Sequence, residues 1–315
     1  MLALHDAGLQ VVVLDDLSTG HIEAVPASTP FVRGSTGDSG LVRRTLRRHG
    51  VGAVVHFAGS QVVSENVARP LSYWRNNVAN TLSLAEACVA EGVTRMVFSS
   101  TAAVYGIADG APVTEDTPCH PIYGASKLAA ERLLQDLATA HGVAVVALRY
   151  FNVAGADAAH RAGQRNRNAT HLIKVACEAA LGRRDEVAVF GRDYDTPDGT
   201  GVRDYIHVSD LARAHVAALR YLADGGCGQA MNCGYGRGHS VAQVVGAVER
   251  AAGRPVRVRT EARRVGDPPS LVACNQSIRI VLDWRPEYDN LEAIVASALA
   301  GCGNSSGQIG LDLIR

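Results

Sequence analysis

The 315-residue chain lacks an excess of either charge and has no long apolar run. Lysine and arginine together number 31, as do aspartate and glutamate, so the formal net charge is +0. Because proteins that bind nucleic acid or anionic membranes usually carry a basic excess, neither partner is expected. No segment approaches the ~18 uninterrupted apolar residues of a membrane span, and the first residues do not form a secretion signal. These absences predict a soluble protein of the cytoplasm.

Metal-binding and disulfide patterns are also missing. The seven cysteines are scattered and never form a Cys-x-x-Cys pair, and the eleven histidines include no His-Glu-x-x-His motif. An odd number of scattered cysteines favours reduced thiols, and we expect no metal site.

Lysine itself is scarce, since Lys127 and Lys174 are the only two beside 29 arginines. Arginine therefore serves almost wherever a cation is needed. A retained lysine suggests a position that requires a compact ammonium able to lose its proton. For Lys174, a surface lysine without a special role is the favoured interpretation.

Short apolar runs alternate with helical patterns through the first half of the chain. The alternation predicts an α/β fold with a doubly wound parallel sheet of the Rossmann type. From about residue 156 a polar loop and short strands predict a smaller α/β lobe. The predicted strands are 10–14, 53–56, 95–99, 143–148, 187–190, 229–232 and 256–259, and the predicted helices are 41–49, 73–91, 123–141 and 172–181.

The expected domains follow from this change of pattern. Residues 1–155 form the sheet domain, and residues 204–233 return to it. Residues 156–203 and 234–300 form the second lobe, in which a substrate would bind. Residues 301–315 are an atypical tail.

Polar residues follow the predicted strands, at the sheet edge where open α/β sheets bind ligands. Asp15 and Asp16 follow the first strand, and a carboxylate there can accept both ribose hydroxyls of an adenosine, which favours NAD. The alternative for Asp15 is a turn or helix cap. The other strand ends carry residues 57–59, 99–101 and 149–152.

The glycine-rich turn that opens a dinucleotide-binding fold is not in the sequence. Residues 1–8 have the pattern of the end of the helix that should follow that turn, and we interpret the glycine-rich residues 34–40 as a turn with a helix cap at Asp38. We therefore expect the natural protein to begin about 20 residues earlier, with a strand and a glycine-rich turn. We expect the chain as written to retain NAD poorly.

Tyr123 and Lys127 stand four residues apart, a spacing that places both on one helical face. A phenol ionises near pH ~10, but a nearby ammonium and a positively charged nicotinamide both lower its pKa. The pair is therefore a candidate general base with its activator, and Thr101 at a strand end supplies a hydroxyl for the substrate oxygen. The alternative is that Tyr123 and Lys127 are merely a solvated helix start.

Several segments together resemble the extended short-chain dehydrogenase/reductase family. They are 15–20, 56–59, 76–78, 99–106, 123–127 and 149–152, and residues 198–208 with 264–267 are similar to its UDP-glucose 4-epimerase branch. The similarity extends over about residues 2–300 in the family's order and spacing.

The resemblance implies that bound NAD takes a hydride from the sugar C4 and returns it to the other face. It implies that Tyr123 accepts the 4-hydroxyl proton, that Lys127 binds the nicotinamide ribose, and that Thr101 occupies the family's Ser/Thr position. The cofactor-binding residues that it implies are Asp15, Asp16, Leu17, Ser18, Phe57, Ala58, Gly59, Gln61, Asn77, Thr101, Tyr123, Lys127 and Phe151.

For a UDP-sugar substrate, the resemblance implies that Arg203 and Arg264 bind the two phosphates and that Asp267 accepts the ribose hydroxyls. The alternative is that Arg203–Asp204 and Arg264–Asp267 are short-range structural ion pairs. The remaining implied substrate residues are Thr101, Tyr123, Asn152, His171, Leu172, Val187, Ala188, Phe190, Tyr205 and Leu271.

The sequence departs from the family pattern at a few positions. Gln61 replaces a lysine near the cofactor phosphates, residues 34–36 differ at the adenine site, and Leu271 replaces a pocket tyrosine. A 4,6-dehydratase is disfavoured because Ala102 and Ala103, not an acidic pair, follow Thr101.

The resemblance also implies a homodimer formed through helices 73–91 and 123–141. Two alternatives to a UDP-glucose 4-epimerase remain open at this point. One is an epimerase of another nucleotide sugar, such as UDP-N-acetylglucosamine or UDP-glucuronate. The other is a truncated, non-catalytic nucleotide-sugar-binding remnant.

Overall fold

The computed structural model describes residues 1–60, 69–107, 112–121, 124–165 and 169–303. The strands are β1 Val13–Asp15, β2 Phe31–Arg33, β3 Val54–His56, β4 Arg95–Thr101, β5 Ala144–Tyr150, β6 Asn152–Ala154, β7 Val187–Phe190, β8 Val202–His207, β9 Gln229–Cys233, β10 Gly238–Ser240, β11 Val258–Glu261 and β12 Ser270–Leu271. The α-helices are α1 Leu2–Asp6, α2 Ser39–Arg48, α3 Pro70–Trp74, α4 Asn80–Ala90, α5 Ala125–His141, α6 Leu172–Ala180, α7 Val208–Ala223, α8 Val241–Ala252, α9 Gln276–Val281 and α10 Leu291–Gly303.

The central sheet has the strand order β3-β4-β5-β9, and all its pairs are parallel. Both faces of this sheet are covered, as side chains on β4 show. Met96 and Phe98 pack with α4 and α5, whereas Val97 packs with α7 on the opposite face. Because strand side chains alternate between faces, a strand covered on both faces is apolar almost throughout. The predicted doubly wound parallel sheet is therefore confirmed.

A separate parallel pair is formed by β1 and β2. Within the described ranges, no ladder of hydrogen bonds joins this pair to β3 or to another strand of the central sheet.

The second half of the chain builds two smaller sheets. In one of them β8 pairs with β6, β10 and β12, and in the other β7 pairs with β11. Three helices of this half, α6, α8 and α10, contact one another around a shared apolar core. Residues 204–233, which we predicted to return to the first domain, contribute strands to two different sheets. Their β9 joins β5 of the central sheet, whereas their β8 belongs to the smaller one.

Element boundaries differ from the predictions in ways that matter for the site. The first strand is 13–15 rather than 10–14, whereas β4 and β5 continue to Thr101 and Tyr150. The predicted helix 73–91 begins earlier, at Pro70, and is interrupted by a π-helical turn over Arg75–Ala79. The helix cap at Asp38 is confirmed, because its carboxylate accepts the Leu41 N–H at 2.9 Å. No helix in the described part of the chain is long and apolar enough to cross a membrane.

Candidate active site

A large cleft of about 2710 Å³ opens at the carboxyl ends of β4 and β5. Its walls include β4 and β5 ends, the start of α5, and residues of the smaller sheets. This is the edge at which parallel sheets bind ligands, since loops and helix starts converge there.

Lys127 lines this cleft and is only 9 % exposed. Its ammonium donates to the Ser99 carbonyl oxygen at 3.1 Å and lies 4.8 Å from the centre of the Phe98 ring. Burial lowers the Lys127 pKa to about 8, although the nearby Glu131 carboxylate opposes the shift. A cation this poorly solvated interacts strongly with any group placed beside it. Lys127 is therefore not part of a solvated helix start, and that alternative is wrong for this residue.

A buried ion pair that was not anticipated from the sequence includes a residue one helical turn after Lys127. Glu131 and Arg149 form it at 2.7 Å, and the Ser100 hydroxyl donates to the same carboxylate. The Arg149 guanidinium also donates to the Tyr105 hydroxyl at 3.1 Å. Because Glu131 stands one helical turn after Lys127, its spacing was a usable signal.

Thr101 ends β4 and faces the cleft. Its hydroxyl oxygen accepts the Ala103 N–H at 3.1 Å, and a short 3₁₀ turn over Ala102–Val104 follows. The hydroxyl is therefore held at the strand end with its proton free to donate into the cleft.

The loop after β3 is held by Asn77, which lies in the π-helical turn. Its amide oxygen accepts the Ser60 N–H at 2.7 Å, and its amide nitrogen donates to the Ser126 hydroxyl at 2.9 Å. Such π turns are frequently found at functional sites. A Cβ at Gly59 would lie 2.7 Å from the Lys127 ammonium and 2.9 Å from the Asn77 amide oxygen, so a larger residue would displace these two side chains.

Aromatic rings lie at the same strand ends. Phe57 follows β3, lines the cleft, and is 52 % exposed, with its ring 4.8 Å from that of His215. Phe151 follows β5 and is buried. An exposed ring in a cleft offers a flat apolar surface to a planar ligand.

Two arginines, Arg203 and Arg264, also line the cleft. Arg203 pairs with Asp267 at 2.5 Å, and the Arg264 guanidinium lies 3.8 Å from the centre of the Phe190 ring. The alternative of an Arg203–Asp204 pair is wrong, because the buried Asp204 carboxylate instead accepts N–H groups of Tyr235 at 2.9 Å and Gly236 at 2.8 Å. Both guanidiniums line the cleft, where an anionic group can reach them.

Comparisons with known proteins agree with this geometry. A family model described as the NAD dependent epimerase/dehydratase family matches residues 1–234. The chain belongs to this family. A protein named UDP-glucose 4-epimerase from Azospirillum brasilense is 57% identical over 300 residues, which cover 95% of this chain and 86% of the relative.

Solved structures of family members superpose closely. The UDP-glucose 4-epimerase from Brucella ovis in complex with NAD has a TM-score of 0.92 at 44% identity, and the match covers 95% of this chain and 93% of that one. The UDP-glucose 4-epimerase from Bifidobacterium longum in complex with NAD+ and UDP has a TM-score of 0.89 at 35% identity, covering 96% and 93%.

The cleft brings together many residues that the sequence predicted for this family's site. Those lining it are Phe57, Gly59, Asn77, Thr101, Lys127, Phe151, Asn152, His171, Leu172, Val187, Ala188, Phe190, Arg203, Tyr205, Arg264, Asp267 and Leu271. Ala58, Asp15, Asp16, Leu17 and Ser18 are not among the lining residues. Tyr123 and Gln61 lie outside the described residues.

The Asp15 carboxylate accepts the Leu17 N–H at 2.7 Å, and that of Asp16 accepts the Ser18 N–H at 2.8 Å. These bonds build a tight turn in which Leu17 has a φ of 59°. Asp15 thus caps a turn after β1, as one of the two interpretations expected.

Proposed function

We propose that this chain is a UDP-glucose 4-epimerase that interconverts UDP-galactose and UDP-glucose with bound NAD. The observation that carries the proposal is a single cleft lined both by the buried Lys127 and by the guanidiniums of Arg203 and Arg264. Lys127 suits a redox cofactor and a proton transfer, and the two arginines suit a diphosphate. Family membership and the names of the relatives support the same activity.

The residues at the strand ends fit NAD. Gly59 leaves open the space that a Cβ would fill beside Lys127 and Asn77, and Phe57 offers an exposed ring in the cleft. Lys127 would hold the nicotinamide ribose. Asp15 lies outside the cleft lining and its Oδ1 accepts the Leu17 N–H, so its other carboxylate oxygen would have to accept the adenosine ribose hydroxyls. NAD, when bound, supplies the reversible oxidation at the sugar C4.

We assign to Tyr123 the role of accepting the proton of the sugar 4-hydroxyl. Tyr123 precedes Lys127 by four residues in the sequence. A poorly solvated ammonium favours the phenolate form, so Lys127 lowers the phenol pKa towards neutrality. The Thr101 hydroxyl donates to the sugar 4-oxygen and orients it. The proton of the 4-hydroxyl passes to Tyr123 on oxidation and returns to the same oxygen on reduction.

The diphosphate is the fixed point about which the sugar turns. Arg203 and Arg264 bind its oxygens, and Asp267 accepts the uridine ribose hydroxyls. The 4-keto sugar is held through this tether alone, so it can present either face of C4, and inversion follows. Phe190 and Leu271 both line the cleft, where Phe190 would place a ring beside the uracil and Leu271 would contact the sugar.

The proposal includes a homodimer. On α3 and α4, Leu71 is 81 % exposed, and Trp74 and Leu82 are also exposed. Large apolar side chains clustered along neighbouring helical turns favour a covered surface. The cysteines of the described ranges are free thiols, which favours a reducing cytoplasm.

The test is conversion of UDP-galactose to UDP-glucose by the purified protein with added NAD, coupled to a UDP-glucose dehydrogenase. Tyr123→Phe should lower turnover by at least ~10²-fold, the scale of general acid–base catalysis. UDP affinity, measured by calorimetry, should stay the same and serves as the folding control. Wild-type turnover in Tyr123→Phe would refute the assignment. UDP binding without turnover at saturating NAD would instead fit a non-catalytic remnant.

A further inference from the structure

The second lysine is buried, so the prediction of a surface residue is wrong. Lys174 lies on α6 and is 7 % exposed. Its ammonium lies 3.4 Å from the Cys302 sulfur on α10 and 3.3 Å from a carboxylate oxygen of Glu178. Burying an ammonium costs free energy unless it is paired with an opposite charge or hydrogen-bonded to buried groups. Its partner across the helix interface is a thiol.

Cys302 also contacts a second thiol. It is 3 % exposed and belongs to the same buried cluster as Cys177, which stands three residues after Lys174 on the face of α6 that meets Cys302. The Arg183 guanidinium donates to the Cys302 carbonyl oxygen at 2.6 Å. We call Lys174, Cys177 and Cys302 the thiol cluster. It joins the two helices, and α6 begins beside His171 at the cleft.

The charges of the thiol cluster separate the two sulfurs chemically. The neighbouring Cys177 thiol and the Lys174 ammonium lower the Cys302 pKa, although burial and Glu178 oppose the shift. Burial and the same neighbour raise the Cys177 pKa. Because the Lys174 ammonium lies 3.4 Å from the Cys302 sulfur, Cys302 is the thiol that ionises more readily and Cys177 is the one that keeps its proton.

A small molecule has room beside Cys302. A cavity of about 50 Å³ is lined by Cys302, Lys174, Gln164 and the His171–Leu172 pair at the start of α6. It holds a molecule not much larger than water, and the side chains of Lys174, Gln164 and His171 on its otherwise largely apolar lining can form hydrogen bonds with that molecule.

We propose that Cys177 and Cys302 are a peroxide-oxidised pair in which Cys302 reacts first and Cys177 closes a disulfide between α6 and α10. The pair is a modification site distinct from the Lys127 chemistry, and it does not rest on the proposed epimerase activity. A disulfide here would tie the helix that begins at the cleft to the last described helix.

The reaction balances with hydrogen peroxide as the oxidant. The Cys302 thiolate attacks one peroxide oxygen, the O–O bond breaks, and the departing hydroxide takes a proton to become water. The Cys177 sulfur then attacks the Cys302 sulfur, which forms the S–S bond and breaks the S–O bond. The hydroxide that leaves takes the Cys177 proton as a second water. Both thiols are oxidised and one peroxide is reduced.

The experiment treats the purified protein with equimolar hydrogen peroxide and maps its cysteines by mass spectrometry. The expected result is a cross-linked peptide pair containing Cys177 and Cys302, reversed by dithiothreitol. Cys177→Ser should stop at a Cys302 sulfenate that dimedone traps. Lys174→Met should slow Cys302 oxidation at neutral pH by about tenfold or more, because the thiolate fraction falls.

Two other cysteines serve as controls. Cys227 is exposed, and Cys88 is buried with its pKa raised to about 12 by burial alone. Oxidation of Cys227 ahead of Cys302, or a cross-link whose rate is unchanged in Lys174→Met, would overturn the proposal. Circular dichroism of each variant shows whether it is folded. If Cys177→Ser unfolds, the Lys174→Met rate still decides between the outcomes.

Discussion

Replacing Lys127 by methionine should stabilise the fold at neutral pH while abolishing activity. Methionine matches the length and volume of the lysine stem but carries no charge. Lys127 is buried, and its ammonium has the Ser99 carbonyl and the Phe98 ring as its near partners. These partners replace only part of the hydration that an ammonium loses on burial.

The size of the effect follows from the lowered pKa. Burial lowers the Lys127 pKa from 10.5 to about 8. At about 1.4 kcal/mol per pH unit, keeping this group charged destabilises the folded state by about 3 kcal/mol below pH 8. Losing the bond to Ser99 offsets roughly 1 to 2 kcal/mol of what methionine gains. Lys127→Met should therefore unfold with a free energy about 1 to 2 kcal/mol higher at pH 7.

The sign of the pH dependence provides the sharper test. Between pH 8 and 10.5 the unfolded chain binds the proton that folded Lys127 releases, so the unfolding free energy of the wild type rises across this window. The methionine variant lacks that rise. Its advantage should shrink by about 2 kcal/mol between pH 7 and pH 9.5.

The assay is urea unfolding followed by the fluorescence of the buried Trp284, at both pH values. Epimerase turnover, measured on the same samples, should fall by at least ~10²-fold. A variant that is less stable than wild type by more than 2 kcal/mol at pH 7, with an unchanged pH slope, would show that the ammonium is well solvated or well paired. The reasoning about Lys127 would then be refuted.

Two further substitutions test the walls of the cleft. Gly59→Ala places a methyl group 2.7 Å from the Lys127 ammonium, so we expect turnover to fall about tenfold or more, with a stability loss under about 1.5 kcal/mol. Gly52→Ala is the control, because a Cβ at Gly52 meets nothing within 4 Å. Equal turnover in the two variants would show that crowding at Lys127 does not matter. Arg264→Met keeps an apolar contact with Phe190 but removes the charge, so UDP affinity measured by calorimetry should fall about tenfold, and unchanged affinity would remove Arg264 from the diphosphate site.

Local signals in the sequence predicted much of the fold. Buried apolar runs identified the strands of the parallel sheet because a strand covered on both faces has no polar side. Asp38 was identified as a cap because a short carboxylate before a helix accepts its free N–H groups. The π-helical turn at Arg75–Ala79 had no such signal, because the contacts that accompany it join Asn77 to Ser60 and Ser126, which are distant in sequence.

Partners distant in sequence could not be predicted from spacing. The Lys174 ammonium meets Cys302, which is 128 residues away, so nothing around residue 174 indicated burial. Likewise Arg203 pairs with Asp267, 64 residues away, and not with its neighbour Asp204. Residue spacing indicates contacts within one helix or strand, whereas these contacts depend on how helices and loops pack.

The Arg203–Asp267 pair poses a question that a variant and two ligands can settle. Asp267 either competes with phosphate for Arg203 or accepts the ribose hydroxyls of the bound nucleotide. The pair is partly exposed, with side-chain exposures of 14% and 33%, so breaking it changes the free energy by no more than about 1 kcal/mol. A hydrogen bond from a ribose hydroxyl to a carboxylate contributes about 1.5 to 3 kcal/mol. The ribose hydrogen bond should dominate, and Asp267→Asn should weaken UDP binding about tenfold.

Calorimetry with UDP and with 2′-deoxy-UDP separates the two roles of Asp267, because a lost ribose contact weakens the binding of UDP more than that of its deoxy analogue. Equal changes for both ligands, or tighter binding of both, would mean that Asp267 acts only through Arg203.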